Sequence, residues 1–167
     1  IGNSTTTPRD LVNDLDVKII LIALSESVAS RLRENGFRCK VVEISIRDNE
    51  LYHFSRQCKL KRPTNITDEI VQAAYRLFKD NYRWEHPIRS LGVRGCDLVS
   101  DDMPYQLDLF MSEQKREKLE KMDQVVDEIR ARFGYQSIQR AFVYQDKILA
   151  QLNAREHTVH PQGYFHG

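Results

Sequence analysis

The sequence predicts an α+β domain: a four-stranded antiparallel sheet with two helices on one face, in the order β-α-β-β-α-β, followed by a C-terminal helical extension. Three observations carry this. Apolar residues recur at helical spacing in two stretches, 11–35 and 67–78. Three other segments alternate apolar and polar residues with the period of a strand. Helices and strands interleave so that both helices fall on one side of the sheet and the other side stays open. With 167 residues, 41% apolar and 29% charged, the chain can bury a proper core.

Residues 1–9 are expected to be an extended linker or a first strand, because Ser4-Thr5-Thr6-Thr7 favours extended backbone. A domain is expected over 10–100. Pro8 and Asp10 mark a helix start, with Asp10 placed to cap. Leu15, Ile19, Ile22, Val28, Ala29 and Leu32 step along one helix, and 19–24 is apolar nearly all round, so its middle must be covered. Asn35-Gly36 before Phe37 is a left-handed C-cap. In 37–47, Val42, Ile44 and Ile46 share one face, and Asp48-Asn49-Glu50 is turn chemistry. In 51–61, Phe54, Cys58 and Leu60 share a face, with Ser55, Gln57 and Lys59 opposite. Arg56 falls on the apolar side, which calls for a bulge or a snorkelling side chain.

Thr67-Asp68-Glu69 opens the second helix, with Ile70, Ala73, Ala74, Leu77 and Phe78 as its stripe and Trp84 and Pro87 at its end. A last strand over 88–98 puts Leu91 and Val93 on one face and Ser90, Gly92 and Arg94 on the other. Residues 101–111 are expected to be a loop, and 112–134 a helix with a narrow apolar seam of Leu119, Met122, Val126, Ile129 and Phe133. The remainder, 135–167, is expected to hold a short strand over 137–144 and an irregular tail.

The loop contains Gln106-Leu107-Asp108-Leu109-Phe110, just after Pro104 and beside Asp101 and Asp102. An amide followed by an aliphatic-aromatic pair suits a small polar pocket next to a deep apolar one on a partner. A net charge of +1 excludes a polycation, so any nucleic-acid surface must come from local clustering. Such a cluster exists. Residues 37–62 carry seven basic side chains (Arg38, Lys40, Arg47, Arg56, Lys59, Lys61, Arg62) against three acids. With Ser45, Ser55, Gln57 and Ser90 they offer short donors and cations of the kind phosphate oxygens take, with few aromatics for base stacking. A plain solvated sheet face has the same composition.

Enzymatic and metal readings find little support. Asp101-Asp102 are candidate metal ligands for a small hydrolase but have no supply of remaining ligands nearby, and His157 and His160, at spacing three, would share a face only on a helix, which the surrounding tail does not favour. Cys39, Cys58 and Cys96 form no CxxC pair, so they point to a reducing compartment and not to a disulfide framework. There is no phosphate-cradling glycine loop and no signal-peptide or membrane-spanning pattern. Beginning at Ile1, the chain is read as a piece of a longer protein.

The opening Ile1-Gly2-Asn3-Ser4-Thr5-Thr6, then Phe54-Ser55-Arg56, then Ile88-Arg89-Ser90-Leu91-Gly92-Val93, then the pentapeptide from Gln106 to Phe110, occur in one order. That ordered set resembles the little finger, or polymerase-associated domain, of Y-family translesion DNA polymerases of the bacterial polymerase IV and polymerase V type. The resemblance implies a domain that grips primer-template DNA by its backbone through an open sheet face. The grip would fall on Thr5, Thr6, Ser45, Arg47, Ser55, Arg56, Gln57, Lys59, Lys61, Arg62, Ser90 and Arg94. It implies that Gln106, Leu107, Asp108, Leu109 and Phe110 bind the sliding clamp. It also implies that the catalytic carboxylates and their Mg²⁺ lie in other domains of the longer protein, so that this chain has no catalytic residue, metal or cofactor of its own. The expected setting is the bacterial cytoplasm, with a nucleoid association, in DNA repair and the SOS response. One departure stands out: in many relatives the clamp motif ends the chain, whereas here 57 residues follow it. The alternative is a protein-interaction module that uses the open face or the 119–133 seam without DNA.

Overall fold

The computed structural model describes residues 1–104 and 113–154. The order is β1 (Gly2–Leu11), α1 (Asp14–Glu34), β2 (Phe37–Asp48), β3 (His53–Thr64), α2 (Thr67–Asn81), β4 (Ile88–Ser100) and α3 (Glu113–Phe133). The four strands form one antiparallel sheet in the order β1-β4-β2-β3, so β1 and β3 are its edges. The expected α+β architecture is the observed one, and residues 2–11 are a strand.

The first helix starts later than expected. Leu11 is fully buried and pairs with Ile88, so the chain stays extended until Leu11 has reached the core. Asp10 therefore lies in β1, where Arg89 donates to its carboxylate at 3.3 Å. Asn13 caps the helix instead, its side chain accepting the Asp16 N–H at 2.9 Å. Asp16 is itself buried. Arg9 donates one nitrogen to each of its oxygens at 2.8 Å, and the Val12 N–H adds a bond of 3.0 Å. These bonds stitch the end of β1 to the first turn of α1.

At its other end α1 closes as expected. Asn35 is the C-cap, and Gly36 follows at φ +68°, where a side chain would be strained.

The core lies between the sheet and the helices. Val42, Ile44, Ile46, Leu91 and Val93 point from the central strands toward α1 and α2, all at most 2% exposed. The expected stripe of α2 is there too, with Ile70, Ala74, Leu77 and Phe78 buried.

Helix α1 is buried on nearly its whole circumference, including every residue from Ile19 to Leu24. Part of its cover comes from beyond α3. Residues 135–154 form three short 3-10 turns (Tyr135–Ser137, Ala141–Gln145, Leu149–Gln151), not the expected strand over 137–144. Val143, Leu149, Ala150, Leu152 and Ala154 are buried in the main core cluster. A strand needs a sheet edge to pair with, and these residues are engaged with α1 instead. Asn3 fastens this end, donating to Ser27 Oγ at 3.0 Å and to the Ala154 carbonyl.

Helix α3 lies within the expected 112–134 and ends before Gly134, φ +93°. It packs on the domain by its charges. Arg116 and Asp123 are its buried side chains, whereas Met122 is 43% and Phe133 71% exposed. Arg116 pairs with Glu69, Glu120 with Arg38, Arg130 with Glu26, and Asp123 and Asp127 with Arg33. Asp123 also accepts the Thr67 N–H at 2.8 Å, supplying α2 with the cap its own sequence lacks. The docked face is centred roughly 100° around the helix from the expected apolar seam, at 100° per residue.

Removing the Asp16 carboxylate tests the β1–α1 stitch. Neighbouring Arg9 holds this carboxyl below the usual carboxylate range, with the Val12 N–H adding to the effect against burial. A depressed folded-state pKa stabilises above the unfolded value of about 3.9, and the gain fades as pH falls through the folded value. Asp16→Asn is expected to destabilise by about 2 kcal/mol near neutrality. In urea titrations from neutral pH to about pH 3, the gap from wild type should narrow toward acid.

Candidate nucleic-acid interface

The side of the sheet away from the helices is built by strict alternation. Three ladders of opposed residues cross all four strands: Gly2-Arg94-Glu43-Gln57, Ser4-Gly92-Ser45-Ser55 and Thr6-Ser90-Arg47-His53. A shorter ladder, Cys96-Val41-Lys59, adjoins the first. The middle ladder, with Gly2, Glu43 and Arg94 of the first and His53 of the third, lines a shallow trough of about 450 Å³.

The middle ladder sets the shape. A Cβ on Gly92 would stand 2.3 Å from Ser45 Oγ and 3.1 Å from Ser4 Cβ, so no larger side chain fits without movement. Small residues here keep the backbone of two central strands close to the surface. Cations flank them: Arg47 on one side, Arg94 and Lys59 on the other. Arg94 lies 3.7 Å from Glu43, which offsets the acid on this face. Arg47 and Lys59 are exposed and make no ion pair among the described residues. The Ser90 hydroxyl donates to the Thr5 carbonyl at 2.9 Å, so it presents lone pairs and not a donor.

The structure sorts the expected contact residues. Thr6, Ser45, Arg47, Ser55, Gln57, Lys59, Ser90 and Arg94 share the open side. Lys61 is exposed where the β2–β3 register is irregular. Thr5 is 5% exposed and turned toward the core side, because alternation gives the open side to Ser4 and Thr6. Arg56 pairs with Ile44 and so projects on the helix side of edge strand β3. No bulge intervenes there: the side chain snorkels, its guanidinium 5.1 Å from the Phe54 ring. Arg62 is held by Glu113 at the start of α3. Ser4 and His53 were missed, and only the strand register reveals them. The segment 106–110 and residues His157 and His160 lie outside the described residues.

The other candidates are engaged elsewhere. Asp101 pairs with Arg38, and among the described residues no group of three or more His, Cys, Asp or Glu could hold a metal ion. Burial pushes the Cys39 thiol up to about 12 and raises Cys58 and Cys96 as well, which leaves all three protonated and poorly nucleophilic. No described helix is long and apolar enough to cross a membrane.

Comparison with known proteins finds a family model and relatives similar to this chain. Residues 1–109 match the impB/mucB/samB family C-terminal domain. The chain is 47% identical over 152 residues to DNA polymerase IV of Acetivibrio thermocellus, covering 91% of this chain and 38% of that protein. It is 39% identical over 145 residues to DNA polymerase IV 2 of Bacillus subtilis, covering 84% and 34%. The chain therefore spans little more than a third of these relatives. Among solved structures, a complex of the beta-clamp processivity factor and the little finger domain of PolIV matches 66% of this chain and 98% of that one, at 15% identity and TM-score 0.48.

The Gly92 contacts give a direct check on the trough. Gly92→Ala is expected to destabilise by about 1–2 kcal/mol through overpacking. Ser45→Ala in the same chain should recover part of the loss, because it removes the nearest clashing atom. A double-mutant cycle by urea denaturation reads the coupling.

Proposed function

The chain belongs to the impB/mucB/samB family of C-terminal domains, the little-finger class that its motifs resemble, and from that premise we propose that it is the non-catalytic DNA-gripping and clamp-tethering domain of an error-prone DNA polymerase. In this reading the longer protein is a translesion DNA polymerase of the bacterial cytoplasm, and its Mg²⁺-dependent nucleotidyl transfer belongs to other domains.

The observation that carries the DNA half is the ladder Ser4-Gly92-Ser45-Ser55 with Arg47, Lys59 and Arg94 around it. A phosphodiester backbone needs a surface it can approach closely, short hydroxyl donors and cations without deep pockets. This face offers all three. It offers little for base-edge reading, so affinity is sequence-independent and arises largely from counterion release. The contact set is Thr6, Ser45, Arg47, Ser55, Gln57, Lys59 and Arg94, with Lys61 at the rim. Duplex near a primer-template junction fits the role, since a polymerase must hold newly made duplex without regard to sequence.

The clamp half rests on the order of residues in the pentapeptide. Gln106 would enter a polar subsite, and Leu109 and Phe110 an apolar one. The segment follows the last strand in sequence and shares no residue with the proposed gripping face.

Two experiments separate the halves. Arg47→Ala with Lys59→Ala should weaken binding to a recessed-end duplex and lower the slope of log K against log[salt] by about 1.8, or about 0.9 for each phosphate no longer neutralised. Fluorescence anisotropy over a salt series measures this, and an unchanged slope would remove the open face from the grip. Leu109→Ala with Phe110→Ala should abolish retention on immobilised sliding clamp, a loss on the order of 2 kcal/mol or more. Duplex affinity should stay unchanged in that variant.

A further inference from the structure

Arg56 has no part in the open face, yet it is exposed at the middle of a free sheet edge. Among the described residues, strand β3 is paired on one side only, by β2. Its sequence, His53–Thr64, holds four basic residues and no acid. On the helix side of this edge, two clefts flank Arg56. One, of about 190 Å³, is lined by the rings of Tyr52, Phe54 and Tyr82 together with polar side chains that include Asp48, Arg83 and Glu85. The other, of about 440 Å³, lies between β3 and α2 over Cys58, Leu60, Ala73 and Leu77. Along β3, Phe54 and Cys58 stand two residues either side of Arg56, so one extended partner strand would meet all three on the same face. Arg56 makes no ion pair among the described residues, and its guanidinium donates only to the adjacent Ser55 carbonyl, at 2.8 Å.

We propose that the β3 edge takes up an extended segment of a partner protein by strand addition. The segment carries an acidic residue opposite Arg56 and an apolar residue two positions to either side. Backbone pairing with the free edge would supply affinity, and the three facing positions would supply selectivity. Duplex DNA is a poorer occupant of this edge, because it has no strand backbone to pair and no side chains for the two clefts. A second copy of the chain is poorer still, since an edge-to-edge pair would oppose one basic strand to another.

The test uses the whole chain and a synthetic peptide that reads the same in both directions, acetyl-Thr-Leu-Thr-Glu-Thr-Leu-Thr-amide. In ¹⁵N-resolved NMR titrations, saturable amide shifts are expected in β3 around Arg56 and in the facing turns of α2, with half-saturation below about 1 mM. Arg56→Glu should weaken binding at least tenfold while leaving the melting temperature unchanged. The same peptide with Lys in place of Glu should bind that variant better than it binds wild type. No saturable shift in this range overturns the proposal. So do shifts that Arg56→Glu does not affect, or displacement of the peptide by duplex DNA.

Discussion

Helix α1 governs the arrangement of everything else. Its middle is apolar around the full circumference, so no single layer can cover it. The sheet takes one side, α2 packs alongside, and the turns of 135–154 close the remainder. All the covering material therefore gathers on one face of the sheet. Among the described residues nothing covers the opposite face, whose alternating polar residues stay largely in water.

The two faces are built by different physics. The covered face depends on area removed from water, with Val42, Ile44, Ile46, Leu91 and Val93 at most 2% exposed. The open face depends on what is left out: Gly92 and its serine neighbours keep side-chain bulk off the central strands. Under the proposed grip a charged backbone gains from this, because electrostatic attraction weakens with distance and salt. Glu43 within the face lies close enough to Arg94 to be offset.

Helix α3 joins the domain through charge more than through apolar burial. Arg33, Arg38, Arg116 and Arg130 each pair across its interface, and several of the side chains are about one-tenth exposed or less. Such pairs return little net stability when they replace apolar packing, but removing one partner strands the other. They do specify one register of α3 against α1 and α2, most directly where Asp123 caps the first turn of α2. The same pairing withdraws Arg38 and Arg62 from any external ligand. What remains exposed for binding is thus decided partly by a helix remote in sequence.

The sequence by itself determined the element order, the two helices of the domain, the Gly36 cap and the apolar faces of the strands. Each of these follows from local periodicity or from one residue's backbone freedom, which neighbours in sequence can express. It also determined the family through motifs in fixed order. Only the tertiary structure decided which basic residues share a surface. Thr5, Arg56 and Arg62 look equivalent to Thr6, Lys59 and Arg47 in composition, and strand register and the reach of α3 alone separate them. The first helix begins at Asp14 because Leu11 is needed in the core, a demand made by Ile88, 77 positions away. The residues after α3 cover α1 because that helix has an uncovered side. Periodicity reports what a segment wants buried; the partner that buries it is a property of the folded chain.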